Sequence, residues 1–359
     1  MKKMKKALAL IIAVGLAAGL LGACGSSSSS STASSSKSSS STSSSTASSA
    51  KTYTYAQVGE AENPKMVEQE PTKPLKFAFI GFANNSYWDL IYQGVDAAVT
   101  NFAQHNVTVD KINLGSSINA DVINSALESC ESQGYNGVVL TCFVSGCENY
   151  INSLVDAGCP VAIIGGDAGE CKRFCYIGQD NEQAGLTVAK EIDKQLGGES
   201  GAKFAIITSQ FSMTNIETKR NTAINYLESK GYQCVGSYEA HDSADETYSL
   251  TEQLLTANPD LKAIYCTAGG TYGAPKALEA NNAVGSVFVI GHDETKENLE
   301  YVRKGELTVI GQDPAGYAYA SFVYLYNKVV ANQDPEQEVM ASLSQIINKD
   351  NVDKLFPNK

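Results

Sequence analysis

The chain has 359 residues, with 39 Asp and Glu against 27 Lys and Arg, three His and a formal net charge of −12. Acidity of this size excludes a nucleic-acid binder, because phosphate contacts need clusters of Lys and Arg. A hydrophobic content of 43% excludes a chain that is disordered throughout and leaves room for a large core.

Lys2, Lys3, Lys5 and Lys6 precede an apolar run from Ala7 to Ala23, the charged-then-hydrophobic order of a secretory signal. The run meets Leu21-Gly22-Ala23-Cys24, which resembles the lipobox of bacterial lipoproteins. That resemblance implies removal of residues 1–23, a diacylated Cys24 as the mature N-terminus, and attachment to a lipid bilayer. Two acyl chains hold a protein stably where one does not. The alternative is an uncleaved anchor, since about 17 apolar residues just span a bilayer; the small residues before Cys24 favour cleavage. Loss of the four leader lysines takes the net charge from −12 to −16. Residues 25–50 are almost wholly serine, a composition that buries too little apolar surface to offset the entropy of ordering. As a flexible coil, about 26 such residues reach roughly 25–30 Å. With Pro64, Pro71 and Pro74, the stretch up to residue 74 reads as a continuation, so the tether is taken as 24–74 and the folded body as starting near Leu75.

From there, short β-branched runs alternate with longer amphipathic stretches, the mark of βα units on a mostly parallel sheet. Strands are expected at 76–81, 107–114, 137–141, 160–165, 203–209, 233–240, 263–267, 287–291 and 307–311. Helices fill the gaps, typically at 87–104, 121–133, 182–195, 216–230, 245–257, 272–280 and 315–331. The pattern of 75–180 recurs over about 200–312, which predicts two similar doubly wound lobes. Their facing carboxyl strand ends predict a ligand cleft.

Eight cysteines follow Cys24, at 130, 142, 147, 159, 171, 175, 234 and 266. An even number in a secreted chain invites disulfides, yet most fall within or beside expected elements, where a buried thiol packs as a small apolar group. Cys171 and Cys175, in an expected loop, are the pair placed to bridge. CxxC is missing and His105, His241 and His292 lie far apart in sequence, so neither a metal nor a cofactor is expected.

Five segments then carry a specific likeness: Phe79-Ile-Gly-Phe-Ala-Asn-Asn-Ser-Tyr-Trp88, Cys159-Pro-Val-Ala-Ile-Ile-Gly-Gly-Asp167, Tyr176-Ile-Gly-Gln-Asp-Asn-Glu-Gln-Ala-Gly185, Val289-Ile-Gly-His-Asp293 and Leu307-Thr-Val-Ile-Gly-Gln-Asp-Pro314. Their order and spacing resemble the type I periplasmic binding proteins, in the ribose and galactose branch, over nearly all of residues 75–345. The resemblance implies an α/β fold of two doubly wound parallel-sheet lobes joined by a three-segment hinge near 180–181, 312–314 and 340–345. The N-terminal lobe would hold 75–180 and 313–341, the C-terminal lobe 181–312 and 342–359. It also implies a monomeric, extracytoplasmic protein that captures a monosaccharide or polyol for an ABC transporter permease.

A sugar offers apolar C–H faces and a rim of hydroxyls, so its site needs aromatic planes, amides and carboxylates. Residue by residue, the resemblance supplies Asn84 and Asn85 as amides and Tyr87 and Trp88 as stacking aromatics. Asp293 becomes the carboxylate that accepts two neighbouring hydroxyls, with His292 beside it, and Gln312 reads a hydroxyl at a hinge crossing. Asn215 and Thr218 supply polar contacts from the second lobe, and Arg220 braces their helix. Where the ribose branch has an Asp-Arg pair, this chain has Gly165-Gly166 with Asp167 one step on; where it has Asn-Asp, this chain has Ala268-Gly269-Gly270. Both departures are expected to leave room for a larger ligand or one with fewer hydroxyls. Three other readings stay open: a sensor presenting a sugar or autoinducer-like furanose to a membrane receptor, a lipid-anchored hydrolase, and a sugar-responsive repressor. GxSxG, HExxH and Walker patterns are missing, which weighs against the hydrolase. A signal and a serine tether stand where a repressor needs a DNA-reading helix-turn-helix.

Overall fold

Runs of three to seven residues become the strands of two sheets in a computed structural model that describes residues 64–83, 85–342 and 344–357. The leader, Cys24, the serine-rich stretch and Asn84 lie outside the described residues. The first sheet holds β1 (Leu75–Gly81), β2 (Val107–Asn113), β3 (Gly137–Thr141), β4 (Val161–Ile164), β5 (Cys175–Gln179) and β11 (Val339–Ser342), in the order β11-β5-β4-β3-β1-β2 and parallel throughout. The second holds β6 (Lys203–Thr208), β7 (Gln233–Glu239), β8 (Leu261–Cys266), β9 (Phe288–His292), β10 (Thr308–Gly311) and β12 (Gln345–Ile347), in the order β12-β10-β9-β8-β6-β7. Its edge strand β12 is antiparallel to β10, and the rest are parallel. Every residue of β3 and β4 is buried, as expected of parallel strands covered on both faces.

The helices are α1 (Ser86–Phe102), α2 (Ala120–Ser132), α3 (Glu148–Asp156), α4 (Asn181–Leu196), α5 (Thr214–Ser229), α6 (Ala244–Ala257), α7 (Gly273–Ala280), α8 (Lys296–Lys304), α9 (Pro314–Ala331) and α10 (Val352–Leu355). Their starts are written locally. Asn85, Asn119, Asp180, Ser243, Thr295 and Asp313 each accept a hydrogen bond at an N-cap, which satisfies an N–H that the helix itself cannot. Pro314 at the first position of α9 suits the fixed φ of proline.

The chain passes between the sheets three times: from β5 into α4, which packs on α5 and β9; from β10 into α9, which packs on α1, β3 and β4; and from β11 to β12. Each sheet with its helices forms one lobe.

Six elements were not among those named from sequence: β5, β11, β12, α3, α8 and α10. The edge strands are short, and Val339 of β11 is half exposed, so neither burial nor length marks them; pairing with β5 and β10 makes them strands. Two expectations are corrected. The stretch before Leu75 is not wholly tether, because the Val67 N–H donates to Asn327 Oδ1 at 2.9 Å, Asn327 Nδ2 donates to the Lys65 carbonyl at 2.8 Å, and the Tyr326 hydroxyl donates to the Gln69 carbonyl at 2.8 Å. Nor do Cys171 and Cys175 form a bridge. All eight described cysteines are free, and Cys175 opens β5 as a fully buried residue.

Close packing of α1 on α9 depends on Gly94, where a Cβ would stand 2.1 Å from the Ala315 carbonyl oxygen. Gly94→Ala is expected to force the two helices apart and destabilise the protein by about 1–3 kcal/mol, read as a lowered thermal midpoint. An unchanged midpoint would show that this contact does not limit the packing.

Candidate ligand-binding cleft

The carboxyl ends of both sheets open onto one cavity, the place where ligands of open α/β sheets bind. From the first lobe it is lined by Asn85, Tyr87 and Trp88 at the start of α1, Ile118, Phe143 after β3 and Gly165 after β4. The second lobe supplies Met213, Asn215, Ile216 and Lys219 around the start of α5, Asp242 after β7, Thr267, Ala268 and Gly269 after β8, and His292 and Asp293 at the end of β9. Gln312 closes the site from the crossing after β10.

One wall is aromatic. Trp88 is 2% exposed and meets Phe82, Tyr87 and Phe143 edge-on at centroid distances of 5.4, 5.6 and 5.9 Å. The Tyr87 hydroxyl is hydrogen-bonded to that of Tyr317, which fixes the ring beside the cleft.

The opposite wall is polar. Asp293 stands at φ +75°, a left-handed conformation uncommon for a residue other than glycine, and strain of this kind concentrates at functional sites. Asn298 holds it there: its Nδ2 donates to the carbonyls of His292 and Asp293 at 3.0 and 2.9 Å. Gln312 Nε2 donates to Asp293 Oδ1 at 2.6 Å. Burial raises the Asp293 pKa to about 6, against the pull of the Lys219 charge and the Gln312 hydrogen bond. Glu294 next to it is raised to about 7, by burial and then by Asp293. Burial lowers Lys219 to about 8 and takes His292 well below its ordinary value, so that imidazole is neutral at pH 7.

Among the described residues, three polar atoms on this side lack partners. The Tyr265 hydroxyl bonds His292 Nε2 at 2.9 Å, but His292 Nδ1 is buried with no partner, and so is Asn215 Oδ1. Lys219, 4% exposed, has no hydrogen bond or ion pair among the described residues.

Of the ten residues expected at the site, seven line the cavity: Asn85, Tyr87, Trp88, Asn215, His292, Asp293 and Gln312. Asn84 lies outside the described residues. Asp167 and Thr218 do not reach the cavity. The Asp167 carboxylate is held by Arg173 through two bonds of 2.6 Å, and the Thr218 hydroxyl donates to the Thr214 carbonyl at 2.9 Å; both line a neighbouring chamber. Helix geometry explains Thr218. With Asn215, Ile216 and Lys219 all on the cleft face of α5, that face is centred near position 219, and 218 is turned about 100° from its centre. Lys219 was missed from sequence, because spacing from Asn215 alone allows both 218 and 219 on its face. Arg220 braces the helix as expected, pairing with Glu217 at 2.6 Å.

Phe143 carried no sequence signal, and it overturns the expected empty room at Gly165-Gly166. A Cβ on Gly166 would stand 2.3 Å from the Phe143 ring, so the ring fills that space. At Gly269 a Cβ would meet the Asn85 amide at 2.7 Å. The glycines admit side chains of this protein in place of extra ligand.

The raised carboxyls set a pH dependence. A folded pKa above the unfolded one gives stability that is complete below about pH 4 and is lost as pH rises through about 6 for Asp293 and 7 for Glu294. For Asp293 the loss is on the order of 3 kcal/mol. Asn suits the left-handed backbone, so Asp293→Asn is expected to fold and to flatten the decline in denaturant-unfolding free energy between pH 4 and 7. The same decline in wild type and variant would remove Asp293 as its source.

A family model described as "Periplasmic binding protein domain" matches residues 77–333. The D-allose-binding periplasmic protein of Escherichia coli (strain K12) is 30% identical over 144 residues, 39% of this chain and 46% of that one; the match thus spans about half the length of this curated relative. Among solved structures, the glucose-galactose binding protein GanP from Geobacillus stearothermophilus superposes with a TM-score of 0.69 at 23% identity, over 78% of this chain and 99% of that one. A solute-binding protein from Burkholderia graminis C4D1M in complex with D-arabinose gives 0.72 at 22% identity, over 79% and 98%. Together with two parallel-sheet lobes around a cleft, the family match shows that the chain belongs to the periplasmic binding proteins.

Proposed function

We propose that this protein captures a monosaccharide or related polyol outside the cytoplasm and delivers it to an ABC permease, without catalysing a reaction. The observation that carries this reading is the face-to-face arrangement of an aromatic wall and unpartnered polar atoms. Trp88, Tyr87 and Phe143 offer surfaces for C–H faces, while Lys219 Nζ, His292 Nδ1, Asn215 Oδ1 and the Asp293 carboxylate await hydroxyls. A buried polar atom without a partner is destabilising by about 1–3 kcal/mol, and a polyol that donates and accepts around its ring relieves several at once. The relatives described as binding D-allose, glucose and galactose, or D-arabinose support a sugar of this size.

In this reading a ligand touching both lobes favours the closed state, and its differential affinity sets the population. The three crossings are the hinge, the chain works as a monomer, and the acylated Cys24 with its serine tether keeps it near the membrane. Among the described residues no helix is long and apolar enough to cross a membrane.

The test is a thermal-shift and calorimetry screen of the full chain against pentoses, hexoses and polyols. One sugar is expected to raise the midpoint by mass action with a dissociation constant on the order of micromolar, or about −8 kcal/mol. Asp293→Asn is expected to weaken it about 10- to 100-fold, the worth of a charge-assisted hydrogen bond. Millimolar binding to every sugar, by a folded protein, would overturn the sugar reading.

Affinity is also expected to rise between pH 5 and 7. Asp293, with a pKa of about 6, must ionise to accept two hydroxyls, and a bound polyol favours that form. Binding isotherms across that range check it, and a flat profile would exclude Asp293 as the hydroxyl acceptor.

A further inference from the structure

The loop from Cys142 to Cys147 joins β3 to α3 at the ligand end of the first sheet. Its residues do two things at the cleft. The Phe143 ring is part of the aromatic wall, and the Phe143 carbonyl accepts from the Thr214 N–H of the second lobe at 3.3 Å. The loop therefore touches both the ligand space and the closure of the lobes.

Both ends of this loop are thiols, each fully buried. They converge on one atom: Cys142 Sγ lies 3.3 Å and Cys147 Sγ 4.0 Å from the Val144 carbonyl oxygen. The two sulfurs also interact directly. Side-chain hydrogen bonding between them raises the Cys142 pKa and lowers that of Cys147, so Cys147, at the N-terminus of α3, is the more readily ionised thiol. Thiolate character makes a cysteine the attacking group in exchange. Among the described residues the other six cysteines share no hydrogen-bond acceptor.

We propose that Cys142 and Cys147 are a redox pair that closes to an intramolecular disulfide and, in closing, repositions Phe143 in the ligand cleft. The oxidant is an external disulfide of the oxidised-glutathione or thiol-oxidoreductase class. When the loop opens locally at its exposed residues Ser145 and Gly146, the Cys147 thiolate attacks one of its sulfurs, forming a mixed disulfide and expelling one thiolate. Cys142 then loses its proton and attacks Cys147 Sγ, forming the protein disulfide and expelling the second thiolate. Two electrons pass from the protein dithiol to the oxidant, and two protons leave the protein thiols and are taken up by the products. The Val144 carbonyl loses both S–H neighbours, and a link across six residues fixes Cα atoms within about 7 Å. The segment carrying Phe143 is thereby reshaped. An extracytoplasmic compartment is where such a bond persists.

The sequence supplies its own reporter. Trp88 is the single tryptophan, and its ring lies 5.9 Å from Phe143.

The experiment equilibrates the full chain with oxidised glutathione or with dithiothreitol, alkylates it after unfolding, and maps the peptides by mass spectrometry while Trp88 emission is recorded on the native protein. The expected result under oxidised glutathione is a Cys142–Cys147 peptide lighter by two hydrogens and refractory to alkylation. It is accompanied by a shift in Trp88 emission that dithiothreitol reverses and that Cys147→Ser lacks. Alkylation of both residues after oxidation, a bridge found at Cys171–Cys175 instead, or a bridge without any Trp88 shift would each overturn the proposal. The peptide map and emission of the wild-type protein decide this even if the variant fails to fold, and the outcome does not depend on which ligand the cleft takes.

Discussion

The Glu294 carboxylate, 4% exposed beneath the cleft, accepts from the backbone N–H groups of both residues that begin a crossing: Asp313 at 2.8 Å and Gln312 at 3.2 Å. A carboxylate buried this deeply is tolerated because those N–H groups meet it, and they would otherwise be unpaired where the chain leaves β10. This one group fixes Gln312 so that its amide reaches Asp293 Oδ1, and it fixes Asp313 so that it can cap α9. The crossing, the site and the first-lobe helix that packs on α1 thus share a single electrostatic anchor.

Around that anchor the molecule accepts local strain and unmet polarity. Asp293, Asp242 and Asp313 all have positive φ, and Lys219, His292 and Asn215 carry polar atoms without partners among the described residues. Cores of the two lobes, apolar and close-packed, supply the stability that lets such a cleft persist. Met213 and Ile216 belong to the second lobe by sequence yet pack into the apolar cluster of the first, so hydrophobic contact at the rim holds the lobes together.

Most of the site was legible through the resemblance of five segments to the binding-protein family, whose matching residues sit at strand ends and helix starts. Asn85, Trp88, His292 and Asp293 fall at strand ends or helix starts, where an apolar run gives way to a polar residue. The misses have separate causes. Asp167 was placed by the resemblance, one step beyond the family's Asp-Arg pair, and an arginine six residues later, Arg173, holds its carboxylate instead. Thr218 was placed one position from the helix face that points inward, which Lys219 occupies. Ile118 and Phe143 lie in connecting loops whose paths no periodicity records.

By itself the sequence determined the alternation of strands and helices, the duplicated βα pattern, the two lobes and seven of the cavity's residues. The strands, helices and lobes follow from side-chain period, capping and apolar run length, which are local properties; the seven residues follow from the resemblance of five segments to the family. Only the tertiary structure decided that β11 and β12 exist, that residues 65–69 dock on α9, that Phe143 fills the space over the glycines, and that two cysteines five residues apart meet at one carbonyl. Each of these is a contact between segments whose separation in space is not written in their spacing along the chain. Edge pairing, ring packing and thiol proximity arise only once the sheets have placed their neighbours.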